Sequence, residues 1–438
     1  MNRPDIKRLP KRGNPLEAQK KLLEAVRQTK LHTENVWLPE ALGRVLAKDV
    51  FSHANIPAYD KTFIDGYAIN PQETQDASVG TPAGFKVVGK LFPADYPTIV
   101  TVGHGEAVYV ACGAPIPKGA TSTVRVEETR LKGDQIQVLR QIKPGEGIIP
   151  VGDDVKKGAL ALRKGQVLRP QDLGLLASVG STKAEVFKKP IVAILSGGDE
   201  LIKQSQSNPQ KIVNNYALVV SGLASELGAL AKTLGIMPDS MAKVQAKIEE
   251  ALAQADIVVT IGGSSVGVKD FVPDAVNQIG KPGVVVQGVL LRPGAVSGFG
   301  IVDDKPVVML PGHIGSCIAG FYLFVAPLIG LYSGAEGAWM QPRLSAELTE
   351  PLDSGPQYRF LLIHLSHHES KFLAKPVEGG SSALTTIAKS NGYTIVSPHT
   401  MLAKGSIIEV NLFGKQEMSA IELLDSKVTS LARQPKGR

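Results

Sequence analysis

The sequence predicts a multidomain chain of mixed α/β and β architecture: a central α/β domain on a parallel sheet, a small β domain inserted upstream and a further β domain downstream. Three observations predict it. At 438 residues the chain exceeds what one hydrophobic core ordinarily serves, so several cores are expected. From about residue 187 apolar strand-like runs alternate with helix-like runs, the pattern of strands joined by crossover helices. On either side of that region, short Val- and Ile-rich runs are punctuated by Gly and Pro, which reads as β structure.

In chain order, "LEAQKKLLEAVRQTK" (16–30) places Leu16, Leu23 and Val26 near helical spacing with charges between them, an amphipathic helix. Helical character is expected to continue to residue 50. Residues 51–151 change rhythm, with "FKVVGKLF", "EAVYVA" and "STVRVEE" as strands of a small β domain. "KKGALALRKGQVLRPQDLGLLASVG" then returns to a turn and a helix. Segments 14–50 and 152–186 therefore read as one discontinuous helical and linker domain, with 51–151 inserted into it. The α/β domain spans 187–335. Its strands are "PIVAILS", "ADIVVTI", "GVVVQGVLL" and "KPVVML"; its helices are "NYALVVSGLASELGA", "FVPDAVNQIG" and residues 315–332. A last β domain covers 340–414, bracketed by "RFLLIHLS" and "SIIEVNLF", and residues 415–438 read as a helix fading into a basic tail.

Charge placement narrows the partners. The net charge is +7, but "MNRPDIKRLPKR" carries +4 and "RQPKGR" carries +3, so the body is neutral by count. A basic groove for nucleic acid is not expected, and both ends read as solvated tails. The two cysteines, Cys112 and Cys317, lie far apart, which suggests a reducing, cytoplasmic setting without disulfides. The N-terminus has no apolar segment of the secretory kind. Residues 316–335 are uncharged and long enough to span a bilayer. They contain Pro327, lack flanking basic clusters and follow a glycine-rich turn, so a buried helix is expected and a membrane span is not.

Ligands of open parallel sheets sit at the carboxyl ends of the strands. Three glycine-rich loops fall there: "SGGDEL" (196–201), "GGSSVGVKD" (262–270) and "PGHIGS" (311–316). At Gly262 and Gly263 the missing Cβ lets backbone approach a ligand, while amides and the hydroxyls of Ser264 and Ser265 can face an anion ahead of a helix N-terminus. The chain has neither GxxxxGK[ST] nor G-x-G-x-x-G. Asp270 sits where an N-cap for "FVPDAVNQIG" would, with Pro273 in the first turn. A carboxylate beside a phosphate cradle also suits a divalent cation. Glu200 has the same two readings. Asp65, before Gly66 in "YDKTFIDGYAIN", reads either as a turn residue or as a functional carboxylate.

In order, "IDGYA", "CGAPIPKGA", "VGDDVKKGALALRKG", "LGLLASVG", "SGGDEL", "GGSSVGVKDF", "RPGAVSGFG" and "LPGHIGS" resemble the molybdopterin molybdenumtransferases, the MoeA and gephyrin E-domain family, over residues 14–412. The resemblance implies four domains, with a MoaB/MogA-like α/β domain and a β-barrel-like C-terminal one. It implies adenylylated molybdopterin on the α/β domain, Mg2+ assisting anhydride cleavage, molybdate inserted at the dithiolene, and a homodimer whose cleft is closed by the partner's β domain. Within it, Gly262, Gly263, Ser265, Val266 and Gly267 match the family's "GGVSVG" loop, with Ser264 in place of a valine. Asp270, Glu200 and Asp65 match its acidic residues, Asp270 and Glu200 being the metal pair. Gly197, Gly198, Asp199, Arg292, Pro293, Gly294, Gly312, His313 and Ser316 complete the cofactor-binding set. Arg292, Ser316, Arg359, Ser381 and Ser382 are the expected molybdate contacts.

The chain departs from the family pattern at anion contacts. "KPGKP" begins here with Arg292 but ends in Ala295 and Val296; "PGNPVS" has His313 for asparagine; "DSN" reads "NNY" at 214–216; and the arginines before "GED" are missing from "GIIPVGDD". Each lost lysine removes a charge-assisted hydrogen bond of about 1.5–3 kcal/mol. His313 either supplies a donor when protonated or fills space. The expected function is insertion of molybdate into adenylylated molybdopterin with release of AMP. Its rivals are a catalytically weakened molybdopterin carrier on the same fold and a pyrophosphate-cleaving enzyme of nucleotide salvage. Partners implied are a molybdopterin adenylyltransferase and recipient molybdoenzymes.

Overall fold

The computed structural model describes residues 12–414, except 204, 207, 266, 268, 269, 336–340 and 381, together with Glu422–Leu423. The chain forms two compact units. One takes the chain up to Glu34, Gly43–Ala47 and everything from Val186; the other takes Asn35–Leu42 and Lys48–Glu185.

The first unit holds a six-stranded sheet. Its strands are β1 (Ile191–Gly197), β2 (Leu230–Met237), β3 (Ile257–Ile261), β4 (Pro282–Gln287), β5 (Gly298–Val302) and β6 (Lys305–Leu310), in spatial order β2-β1-β3-β6-β5-β4. β2, β1, β3 and β6 run parallel. β5 is antiparallel to both of its neighbours. The reversal is local: Asp303 and Asp304, at φ 47 and 65, form a two-residue hairpin turn between Val302 and Lys305. β3 is buried at all five positions, as befits a strand covered on both faces. β2 and the amphipathic helix Met241–Gln254, which precedes β3, are elements that the sequence reading passed over.

Helix α1 (Pro15–Ala25) is shorter than the expected 16–30. Asn14 caps it, its Oδ1 accepting from the Leu16 N–H at 2.9 Å. Ala18, Leu22 and Val26 form its buried face, while Leu16 is exposed. Burial of a side chain such as Leu22 is worth about 2 kcal/mol. Helical structure does not run to residue 50, because β-branched and aromatic "TENVW" (Thr33–Trp37) forms a strand and Leu38–Ala41 a single 3-10 turn.

The apolar run at 316–335 is part of a helix over Ile314–Tyr332 whose most apolar stretch is 83% buried. It is a core helix. A π-turn occupies Phe321–Val325 and precedes Pro327, which has no N–H to offer the carbonyl of Leu323. The side chain of Gln19 on α1 donates to that carbonyl at 2.7 Å.

Downstream, Tyr358–His368, Lys371–Pro376, Arg343–Leu348, Ile407–Leu412 and Gly392–Val396 pair in that order, and the last pairs back on the first, closing a five-stranded barrel. Ile363, Leu365, Ala374, Val410 and Leu412 fill it. Tyr322 from the core helix packs against Tyr393 and Phe413 of the barrel region. A helix was expected after residue 414; Glu422–Leu423 instead pair as a short strand with Ser366 and His367, and the rest of 415–438 lies outside the described residues.

The second unit carries a six-stranded sheet in the order Ser122–Arg125, Gly66–Ile69, Glu106–Val110, Ala83–Leu91, Gln135–Val138, Thr129–Lys132. Arg140 bridges Glu128 and Glu146 on its edge, and that hydrogen bond holds the Glu146 carboxyl below its ordinary range.

Candidate functional site

Because β1, β3 and β6 are parallel neighbours, the loops that follow them meet on one sheet edge. Gly262 and Gly263 take φ of 81 and 69, the left-handed region that favours glycine. A Cβ at Gly262 would lie 3.1 Å from the Gly197 carbonyl oxygen, and one at Gly312 would lie 3.7 Å from the Gly262 Cα. The three glycine loops are thus close neighbours through their backbones, tightest at Gly262.

The loop interior differs from a simple cradle of free amides and hydroxyls. Gly262 N–H donates to the Leu310 carbonyl at 2.9 Å and Gly198 N–H to that of Met237 at 3.2 Å. Ser264 is buried, its hydroxyl donating to the Leu310 carbonyl at 3.4 Å, whereas Ser265 is half-buried. Ser264 therefore braces the loop against β6.

Asp270 is not the helix N-cap. The helix that follows spans Val272–Ile279, capped by Phe271, and Pro273 lies in its first turn. The Asp270 carboxylate accepts from the Gly267 N–H at 2.5 Å, closing the end of the loop. A Cβ on Gly267 would meet that carboxylate at 2.8 Å. Glu200 folds back on Gly198, its carboxylate oxygens 2.4 Å from where a Cβ would stand. Asp199 Oδ1 accepts from the Asp239 N–H at 3.1 Å, and Lys211 donates to the Asp199 carbonyl at 2.6 Å. Among the described residues no three His, Cys, Asp or Glu side chains converge on one point as a metal site. Val266 lies outside the described residues.

A second feature lies in the same unit. Leu291–Arg292 pairs in parallel with the barrel strand so that Arg292 stands opposite Arg359. The two arginines line a cavity of about 770 Å3 together with Pro293, Gly294, His313 and Ser316. Ala295 and Val296 line it too, adding no charge. Arg359 Nη1 donates to the Asp353 carbonyl at 2.8 Å. Ser382 is exposed and lies outside the wall of this cavity among the described residues; Ser381 is outside the described residues. Behind Ser316, Cys317 is fully buried and its thiol is pushed up to about 12 by desolvation, which leaves it inert.

Asp65 belongs to the other compact unit. It is exposed in the turn before Gly66, and its Oδ1 accepts from the Cys112 N–H at 3.0 Å. Gly66 is required there, since a Cβ would fall 2.0 Å from the Val124 carbonyl oxygen.

Three family models match along the chain: the MoeA N-terminal region (domain I and II) over residues 14–180, a probable molybdopterin binding domain over 193–330, and the MoeA C-terminal region (domain IV) over 345–413. The molybdopterin molybdenumtransferase of Bacillus subtilis is 32% identical, covering 90% of this chain and 94% of its own. A putative molybdopterin biosynthesis protein of Methanocaldococcus jannaschii is 30% identical, covering 86% of this chain and 92% of its own. The crystal structure of a molybdopterin biosynthesis MoeA protein from Pyrococcus horikoshii superposes with a TM-score of 0.78 at 31% identity, over 90% of this chain and 98% of that one. These matches span both compact units, and the sheet, the glycine loops and the barrel all lie within them: the chain belongs to the MoeA family of molybdopterin molybdenumtransferases.

Proposed function

We propose that this protein acts in molybdenum cofactor biosynthesis, inserting molybdate into adenylylated molybdopterin with release of AMP. The observation that carries the reading is the division of one unit into two chemistries. Glycine loops and carboxylates line the carboxyl ends of the strands, and a cavity walled in part by the third of those loops holds Arg292 and Arg359. The relatives' names supply the reaction class.

In this reading the loops of Gly197–Asp199, Gly262–Gly267 and Gly312 seat the pterin phosphate and the AMP moiety. Close backbone approach there depends on missing Cβ atoms. Arg292, Arg359 and Ser316 hold the oxyanion through charge-assisted hydrogen bonds. Two exposed or half-buried carboxylates, Glu200 and Asp270, fit Mg2+, which ordinarily takes one or two carboxylates plus substrate phosphates rather than a full protein cage. Bound there, Mg2+ would offset charge on the anhydride phosphates. Asp65 acts from the second unit, reaching the loops of a partner copy in a homodimer. The setting is cytoplasmic, with substrate handed on by a molybdopterin adenylyltransferase and product passed to recipient molybdoenzymes.

Binding calorimetry with molybdopterin tests the loop assignment. Gly263→Val places a β-branched side chain at φ 69 with a Cβ 3.1 Å from the Val272 side chain, and binding should be lost while the thermal transition persists. Equal affinity in wild type and variant would sink the assignment.

A further inference from the structure

We propose that His313 is a protonation-dependent third cation of the cavity shared by Arg292 and Arg359, so that this protein binds a tetrahedral oxyanion dianion more tightly as pH falls through the titration range of imidazole. The inference rests on reading that cavity as the oxyanion site. It follows from the charges around the cavity. Among the described residues that line it, the ionisable side chains are Arg292, His313 and Arg359, and none is acidic. Each comes from a different element: Arg292 from the two-residue strand Leu291–Arg292, Arg359 from the barrel strand, His313 from the start of the core helix. The segment that closes the far wall contributes Val377, Gly379, Gly380, Thr386 and Ile387, without charge. Its one acid, Glu378, lines a different cavity, alongside Glu226, Glu350, Lys375 and Lys389. Asp353 lines, together with both arginines, an adjoining recess of about 340 Å3. It is turned onto its own loop, where Oδ1 accepts from the Gly355 N–H at 2.8 Å.

His313 is free to act in this way. It is exposed, and although it holds the N-cap position its side chain makes no capping hydrogen bond. Histidine changes charge within the physiological range, whereas the two guanidiniums stay charged throughout. An anion that prefers the protonated ring therefore draws a fraction of a proton from solvent as it binds, within the pH window over which its affinity falls. Ala295 and Val296, on the same wall, supply no fixed cation that would make this proton unnecessary.

Molybdate remains a dianion from about pH 6 to about pH 8.5, a range that brackets ordinary imidazole titration. Calorimetry of the full chain with molybdate over this range, in two buffers of different ionisation enthalpy, reads both affinity and proton uptake. Wild type should lose about tenfold in affinity from the acid to the alkaline end, with net proton uptake greatest in the pH window where affinity falls most steeply and fading at the alkaline end. His313→Asn and His313→Gln should bind at the weaker level throughout, without proton uptake. Ala295→Lys added to His313→Asn should restore affinity at every pH. Arg359→Gln serves as the separate check on the cavity. If Arg359→Gln abolishes binding while wild type shows neither pH dependence nor proton uptake, the role of His313 is refuted and the oxyanion reading stands. Molybdate binding that is undiminished in Arg359→Gln, or absent from wild type, overturns both.

Discussion

At the residue scale, glycines and carboxylates do most of the positioning. Gly66, beside Asp65, is needed for packing alone: its strand pairs with Glu106–Val110 on one side and Ser122–Arg125 on the other, and the Val124 carbonyl lies against its Cα. Gly66→Ala should destabilise the second unit by about 3 kcal/mol, the scale of a forced overpacking, read as a lower urea midpoint with intact secondary structure. An unchanged midpoint would show that the strands can part at little cost. The sequence made the glycines legible, because only a backbone need explains their clustering after strands. It did not reveal how individual polar groups are spent. Ser264 and Asp270 were open to ligand roles by type and position, and in the structure the hydroxyl of one also braces β6 and the carboxylate of the other also closes its own loop. Those choices depend on a neighbouring strand end and on a local turn that no periodicity encodes. Arg292 and Arg359 were placed at one site by the resemblance alone, because the parallel pairing that sets them opposite each other joins segments nearly seventy residues apart.

At the element scale, the core helix over Ile314–Tyr332 carries the most information. Its composition alone fits a membrane span, but its proline, its glycine-rich entry and the lack of basic flanks pointed to a buried core helix, and the structure buries it. Its interruption needs a partner. Pro327 withdraws a donor, and Gln19 supplies one to Leu323 from a helix some three hundred residues away in sequence. Gln19→Ala leaves that carbonyl without its side-chain donor and should cost about 1–2 kcal/mol in urea unfolding. Gln19→Glu, which offers no donor in its ionised form, should cost at least as much, and a neutral result for both would mean that another group satisfies the carbonyl. Alternating elements were legible where apolar runs were long. Helix Met241–Gln254 and strand β2 were passed over, the strand because "LAKTLGIM" mixes polar and apolar residues on a half-exposed sheet edge. The end of α1 was overread because the pattern of Leu16, Leu23 and Val26 stops at the C-cap Val26, after which only the turn bonds of Arg27 and Thr29 follow.

At the scale of the whole molecule, the division of labour decides function. One unit holds both the glycine-loop edge and the cationic cavity; the other holds Asp65. The carboxylates that could serve anhydride cleavage are all present, whereas the fixed positive charge for oxyanion capture rests on two arginines, with Ala295 and Val296 neutral beside them. Cleavage should therefore be less affected than insertion. The measurement that tests this most directly is incubation of the protein with adenylylated molybdopterin and Mg2+ over a molybdate titration, following AMP and mature cofactor separately. The account predicts AMP release that requires Mg2+ and cofactor formation that saturates only at high molybdate, with Ala295→Lys plus Val296→Pro lowering the molybdate needed. Absence of AMP release under every condition would contradict the proposed reaction, and a double variant that leaves the molybdate requirement unchanged while cleavage is intact would contradict the assignment of the cavity.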